Sequence, residues 1–482
     1  MKMRILVCWL GLVLMAGQAW PASYPVVDTG QNACFDDSRQ ISCPRPGEEF
    51  NGQDSQYQGN LPHYRDNGDG TVSDLVTGLM WVKARGNPVS WQEGMDGAED
   101  CRAGGHADWR APTIKELYSL MDFNGWVQAD EASSTAFIDT RYFDFKWGDT
   151  KAGARIIDCQ DWSSTEYAGT TMGGAKTAFG VNFADGRIKG YPVRSRQQKS
   201  RYMRYVRGNP DYGKNDFHTD GDGTVADRAT GLLWQQADDG KTRNWGEALA
   251  YCENLNLGGR PDWRLPSAKE LHSIVEYSRS PKTSDSAAID PIFSVSEVES
   301  YFWTSTTHMD GPKPSHAVYI AFGRAMGYFS PPNSGQSKAF IDVHGAGAQR
   351  SDPKSGDPGR YPQGHGPQGD DIRIFNFVRC VAGGGVAYYE PSNHRIPAWK
   401  GRRQSMGDSP NMRQGGQGQG VGQRGQRRGP PPEAFTACKG VAVGDGCTVQ
   451  TPHGPLKGVC RDTPEGTVCA PEGVRGGPPP TQ

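Results

Sequence analysis

Two stretches decide how this chain folds, and they are one stretch written twice. The first is Ala107-Asp108-Trp109-Arg110-Ala111-Pro112-Thr113-Ile114-Lys115-Glu116-Leu117, and the second is Pro261-Asp262-Trp263-Arg264-Leu265-Pro266-Ser267-Ala268-Lys269-Glu270-Leu271. Thr113 with Glu116, and Ser267 with Glu270, have capping-box spacing, in which hydroxyl and carboxylate each satisfy a free amide at the start of a helix. The Asp-Trp-Arg ahead of each reads as a short extended segment that buries an indole. Each copy is therefore a strand-to-helix corner, with Asp108, Arg110, Asp262 and Arg264 as its structural charges, and a fold unit is expected around each.

Working outward, the repeat continues on both sides. Asp66-Asn67-Gly68-Asp69-Gly70-Thr71-Val72 returns as Thr219-Asp220-Gly221-Asp222-Gly223-Thr224-Val225, and Gly78-Leu79-Met80-Trp81 returns as Gly231-Leu232-Leu233-Trp234. Gly-Asp-Gly before Thr-Val is hairpin chemistry, because glycine takes the positive φ of a tight turn. Ser90-Trp91-Gln92-Glu93 and Asn244-Trp245-Gly246-Glu247 open a further capped helix in each copy. Trp91 to Trp109 and Trp245 to Trp263 are both eighteen residues apart, which sets Cys252 opposite Ala98 and Cys101 opposite Leu255. Trp162 and Trp303 mark the middle of each repeat, and aromatic strands at 202–207 and 374–380 close it.

Composition narrows the class. A length of 482 residues accommodates two or three domains. The formal net charge of −2 removes nucleic acid as an expected partner. With 64 glycines and 34 prolines the chain should be rich in turns and poor in helix. Residues 1–19 read as a Sec-type signal peptide, with Lys2 and Arg4 ahead of an apolar run. No later stretch reaches the roughly 20 apolar residues of a membrane helix, so no membrane span is expected. The protein should be exported, to the periplasm, the cell surface or the medium of a bacterium.

An exported chain with ten cysteines after the signal should carry disulfides. Cys34–Cys43 closes a local loop in segment 20–57, and Cys101–Cys159 and Cys252–Cys380 are the expected staples of the two copies at 58–208 and 212–383. The second copy holds an apparent insertion at 330–371, and 384–432 is a Gly/Gln/Arg-rich linker. Cys438, Cys447, Cys460 and Cys469 suit a two-disulfide minidomain at 433–472, assigned as Cys438–Cys447 and Cys460–Cys469, although spacing leaves the connectivity open. Residues 473–482 read as a disordered tail.

The Asp-Gly-Thr-Val, Gly-Leu-Met/Leu-Trp, Asp-Trp-Arg-Leu/Ala-Pro and terminal Val-Arg-Cys-Val motifs, in that order, resemble those of the Lcl C-terminal domain family of exported bacterial proteins. The resemblance implies an α+β class: two tandem C-type-lectin-like domains, each a mixed, mainly antiparallel sheet with two helices and long loops. A named member is an adhesin that binds sulfated glycans, so the resemblance implies surface recognition. This chain departs in lacking a collagen-like repeat and the closing cysteine of copy one, so trimeric assembly does not carry over.

Candidate sites are few. Asp66, Asp69 and Asp74, with Asp220, Asp222 and Asp227, could offer oxygens to calcium, but no glutamate stands at the twelfth position of an EF-hand loop and Asx-turns explain them without metal. No other cofactor is expected. The lectin-type Glu-Pro-Asn and Trp-Asn-Asp signatures are absent. Sugar binding would instead use exposed aromatics or arginines meeting sulfates, with Trp162, Trp303, Arg187, Arg324, His344 and Arg350 as candidates. His308, His316, His344 and His365 could ligate a metal. No nucleophile–base or paired-carboxylate constellation stands out, so catalysis is not expected. The reading is a recognition protein for polysaccharide or an envelope partner. An envelope assembly component is the alternative, and a metal-dependent or oxidative enzyme of the formylglycine-generating kind is a weaker one.

Overall fold

A computed structural model describes residues 23–194, 201–330, 337–389, 434, 436–451, 454–463 and 466–471. The expected signal peptide, most of the expected linker and the expected tail lie outside these residues. Two units are present, Met1–Asp408 and Ser409–Gln482.

In the first unit each copy builds a small antiparallel sheet and half of a larger one. Copy one contributes β1 (Tyr64–Asp66), β2 (Thr71–Asp74), β3 (Leu79–Val82), α1 (Trp91–Asp96), α2 (Ile114–Ser119), β4 (Asp161–Glu166), β5 (Thr177–Asn182), β6 (Arg187–Pro192) and β7 (Val206–Gly208). Copy two contributes β8 (Phe217–His218), β9 (Thr224–Asp227), β10 (Leu232–Gln235), α3 (Trp245–Glu253), α4 (Ala268–Ser273), β11 (Tyr301–His308) and β12 (His316–Ala321). It continues with β13 (Met326–Phe329), β14 (Ala339–Asp342), β15 (Gln349–Pro353) and β16 (Val381–Gly383). The small sheets have orders β7-β3-β2-β1 and β8-β9-β10-β16, the same arrangement twice. The turns before β2 and β9 work because Gly68, Gly70, Gly221 and Gly223 take φ of 77°, 86°, 82° and 85°, where a side chain would be strained.

All four helices open on a complete capping box, at Ser90/Glu93, Thr113/Glu116, Asn244/Glu247 and Ser267/Glu270. The corner charges are structural: Arg110 bonds Glu116 through both terminal nitrogens, and Arg264 bonds Glu270. The closing strands are tied by buried arginines in matching ways. Arg204 donates to the carbonyls of Val82, Lys83 and Asp144, and Arg379 to those of Gln235, Gln236 and Ser294.

The larger sheet joins the copies. Its order is β11-β12-β15-β6-β5-β4, three strands from each, antiparallel throughout. The residues at 330–371 are therefore not an insertion alone. Their strand β15 pairs β12 as β6 pairs β5, with Arg350 opposite Tyr319 where Lys189 is opposite Gly180. Only the proline that ends β6 and β15, Pro192 and Pro353, betrays the equivalence in sequence. At the seam Ile188 pairs Gln349, two equivalent positions, so a local two-fold axis runs through that pair.

The axis recurs between the helices. Tyr118 of α2 packs on its counterpart His272 of α4, with ring centroids 4.5 Å apart. Lys115 Nζ donates to the Ser273 carbonyl (2.7 Å), and Lys269 Nζ to the equivalent Ser119 carbonyl (2.8 Å). Each motif lysine thus caps the helix of the other copy, where the negative helix end favours a cation. One hydrophobic core runs through both copies, including Trp81, Leu117 and Phe179 with Trp234, Leu271 and Phe302.

Residues 23–60 pack against copy two. Gln31 bonds both the amide and the carbonyl of Thr307, and Asp54 accepts from the hydroxyls of Thr29 and Thr306. Burial, and then the charge of Asp28, push the Asp54 carboxyl up to about 7. The unfolded chain ionises this group near 3.9, so between about pH 4 and 7 it releases a proton that the folded chain keeps. Ionised Asp54 therefore costs stability above that window. Asp54→Asn should raise Tm relative to the parent more at pH 8 than at pH 4, and thermal melts of both proteins across that range check it.

Cys34–Cys43 and Cys252–Cys380 are bonded, with Cα separations of 5.1 and 5.5 Å. Cys101–Cys159 is not: both are free thiols. The position equivalent to Cys380 is Tyr205, whose hydroxyl covers Gly97, and Cys101 lies beyond the Ala98 that stands for Cys252. Burial pushes the Cys159 thiol up to about 12.

The second unit, described by itself, is a three-stranded antiparallel sheet of Gly446–Thr451, Gly454–Thr463 and Gly466–Pro471. Its bridges are Cys438–Cys460 and Cys447–Cys469, not the local pairs expected. Cys460 and Cys469 face each other across neighbouring strands, yet each bonds a cysteine from earlier in the chain, so the bridges tie strands and leading turn together.

Candidate functional site

The seam strands carry an unusual density of buried charge. β6 brings Arg187 and Lys189, β15 brings Arg350, and the loops ahead of and after β15 bring His344 and Asp370. Lys189 and Arg350 are equivalents across the two-fold axis. Asp370 sits between partners, one carboxylate oxygen 2.8 Å from His344 Nε2 and the other accepting from Arg350 Nη2. Arg187 reaches Asp310 at 2.5 Å and Asp185 at 3.5 Å. Three cations and three carboxylates meet there. The side chain of Asp310 is 39% exposed and that of Arg187 14%, so the cluster opens to solvent at that end.

Electrostatics within it are asymmetric. Burial opposes ionisation of Asp370, but Arg350 and His344 hold its carboxyl well below the usual range. Burial, then Arg350, lower the Lys189 ammonium to about 8. Burial lowers the His344 imidazole to about 4 despite Asp370, so it is neutral at neutral pH. Arg350 Nε and Nη1 and His344 Nδ1 are buried with no hydrogen-bond partner. A buried guanidinium with two unmet donors is completed by ordered water or by an acceptor from outside the chain.

The six ligand candidates separate into three groups. Arg187, His344 and Arg350 converge on the seam. Trp162 and Trp303 do not: they are 1% and 0% exposed, and their indole nitrogens donate to the Val89 and Arg243 carbonyls. They are core residues, because the strand pairing that frames them also covers them. Arg324 stands apart on Glu299, at 2.5 Å. Lys189, Asp370, Asp310 and Asp185 are not among the candidates read from the sequence; the alignment of Pro192 with Pro353 could have pointed to Lys189, and no local signal marks the three aspartates.

The other candidates are engaged locally. Asp66 accepts from Lys83, Asp69 from Thr71, Asp74 from the amides of Val76 and Thr77, Asp220 contacts His218, Asp222 accepts from Thr224 and Asp227 from Asn215 and Thr230. Among the described residues the one set of three potential metal-ligand residues drawn together is Cys438, Cys447 and Cys469, whose sulfurs are in disulfides. His308 is buried between the Ser351 hydroxyl and the Asp185 carbonyl, each 2.8 Å away, and burial lowers it to about 3, a weak proton acceptor at neutral pH. His316 contacts Ser315, and His365 is exposed beside Tyr361.

The family model described as the Lcl C-terminal domain matches residues 70–207 and 223–340, more than half of the 482 residues. The chain belongs to the Lcl C-terminal domain family. Its second match stops at residue 340, whereas the second Lcl copy continues through β15 and β16 to Gly383. The seam cluster thus lies partly outside the matched region. Nothing among curated proteins, and nothing among solved structures, matches the chain. Both Lcl copies are mainly antiparallel sheet with short helices, and no helix of the described residues is long and apolar enough to cross a membrane.

Proposed function

We propose that this Lcl protein is an exported, non-catalytic recognition protein of the bacterial envelope that binds an anionic glycan at the seam between two C-type-lectin-like copies. The observation that carries the reading is Arg350: a buried guanidinium with two unmet donors, beside its counterpart Lys189 and opening to solvent past Arg187. Arginine meets planar or tetrahedral oxyanions through paired N–H groups, which suits a sulfate or a uronate. Family membership supports the same reading, and the signal-like start of the sequence supports export.

A glycan array that includes sulfated polysaccharides, probed with the full chain at two salt concentrations with and without Ca²⁺, tests it. Binding to sulfated members should weaken as salt rises. It should fall at least tenfold in the Lys189→Gln/Arg350→Gln double variant and hold in Arg324→Gln. Binding that ignores the seam variant, or no binder at all, sinks the proposal. A requirement for Ca²⁺ would assign the aspartate turns a role that the seam does not need.

A further inference from the structure

The two Lcl copies differ most in what covers them. β4 and β11 are the outer strands of the six-stranded sheet. On copy two, residues 31–57 cover the outer strand and the adjoining helices at five positions. Gln31 bonds the Thr307 peptide both ways, Asp54 bonds Thr306, and Phe50 packs on Trp245 with centroids 6.1 Å apart. Glu253 accepts from Asn51 (2.9 Å) and Tyr57 (2.7 Å), and the Tyr57 ring lies 5.6 Å from the Arg264 guanidinium.

Each of these five positions has a counterpart on copy one, and each counterpart is more open. Trp245 is fully buried where Trp91 is half-buried, and Thr306 is buried where Thr165 is half-buried. Arg264 has a side chain 3% exposed where that of Arg110 is 37% exposed. Glu253, bonded twice, corresponds to Glu99, which is exposed and whose carboxylate has no partner among the described residues. Among the described residues no side chain bonds the Glu166 peptide, the counterpart of Thr307. Around Trp91 the half-buried Met95, Val193 and Tyr205 form a shallow apolar floor, and the buried Tyr191 hydroxyl in the same cluster lacks a hydrogen bond. A sheet edge in this state is one that another chain can complete.

Charge says what kind of chain. Copy one carries Asp96, Asp100 and Glu166 where copy two has Ala250, Asn254 and Thr307, and Asp96 and Asp100 are exposed. Lys176 balances Glu166 at 2.5 Å, but among the described residues no ion pair balances Asp96 or Asp100, and the Asp96 carboxylate accepts only from the Gln92 amide. The occupant must therefore be more basic than residues 31–57. We propose that the outer edge of copy one, from Trp91 and Glu99 to Thr165 and Glu166, docks an extended basic segment of a partner protein, seated as residues 31–57 are on copy two. A side-chain amide would meet the Glu166 peptide, an aromatic ring Trp91, and a donor Glu99.

The test uses an arrayed library of random dodecamer peptides and the full-length protein. The selected peptides should be enriched in lysine and arginine and should carry an aromatic residue. Asp96→Lys/Asp100→Lys should weaken their binding at least tenfold, while Glu297→Lys, an exposed carboxylate on copy two, should leave it within twofold. Both changes are on exposed side chains, so folding is expected to survive, and equal Tm values would verify it. Selected peptides without basic residues overturn the proposal, as does binding indifferent to the α1 charges, or the absence of any selected peptide. These results are separable from the glycan experiment, because Lys189 and Arg350 take no part in this edge.

Discussion

Lys269→Met is expected to lower the stability of the two-copy unit by about 3 kcal/mol, the worth of two hydrogen bonds from a charged donor less the desolvation it relieves. Lys269 is buried and its Nζ donates to the Ser119 carbonyl at 2.8 Å and the Asp28 carbonyl at 2.9 Å. Methionine fills the space but leaves both carbonyls unmet, one of them at the end of α2, where a cation is also favoured by the helix. Burial, with Asp122 acting against it, lowers the Lys269 ammonium to about 8, so part of the cost of keeping the charge inside is recovered on substitution. Lys115→Met should cost less, because the Lys115 side chain is only half-buried. The two losses should not add, since each lysine holds the other's helix and the first substitution already loosens the second contact. Urea unfolding followed by tryptophan fluorescence checks this, with one transition expected for both copies. Two transitions that respond separately to the two substitutions would mean that the copies fold independently.

Removing the Cys252–Cys380 bridge should cost about 5 kcal/mol, because it closes a long loop, with a sequence separation of 128. Removing Cys34–Cys43, separated by 9, should cost roughly 2–3 kcal/mol by the same relation. The larger bridge ties α3 to the closing strand beside β10, the place where copy one has Tyr205 against Gly97 instead. Cys252→Ala/Cys380→Ala is the variant to melt against the parent under non-oxidising and oxidising conditions. If its Tm equals that of Cys34→Ala/Cys43→Ala, closure entropy is not what the long bridge supplies.

Local chemistry was legible in the sequence and cross-copy chemistry was not. Thr113/Glu116 and Ser267/Glu270 announce their helices because a capping box is complete within four residues, and the Gly-Asp-Gly turns announce their hairpins for the same reason. β15 was hidden. Gln349-Arg350-Ser351-Asp352-Pro353 and Ile188-Lys189-Gly190-Tyr191-Pro192 share one residue, since at the seam each strand answers to its partner rather than to a common template. The shifted cysteine of copy one misled in a similar way: Cys101 and Cys159 suggested a bridge, but a disulfide needs two positions brought face to face, and Tyr205 already occupies the position that faces α1. Trp162 and Trp303 showed their side-chain type but not their burial, which depends on strands far along the chain. His344 and Arg350 could be named from the sequence as ligand candidates, while their shared partner Asp370 was invisible because nothing local marks it.

The pairing of Ile188 with Gln349 has a consequence for the order of events as the chain is made. Until residues 349–353 have emerged, copy one holds β6 paired to β5 on one side only, with its other edge open and its charged residues uncovered. Contacts this distant in sequence form late and slowly, and an open edge in the meantime is a template for the wrong neighbour. Lys189 in mid-edge is a side chain that discourages such pairing until Arg350, its own counterpart, arrives. The same residue that completes the seam in the finished protein therefore guards the half-made one.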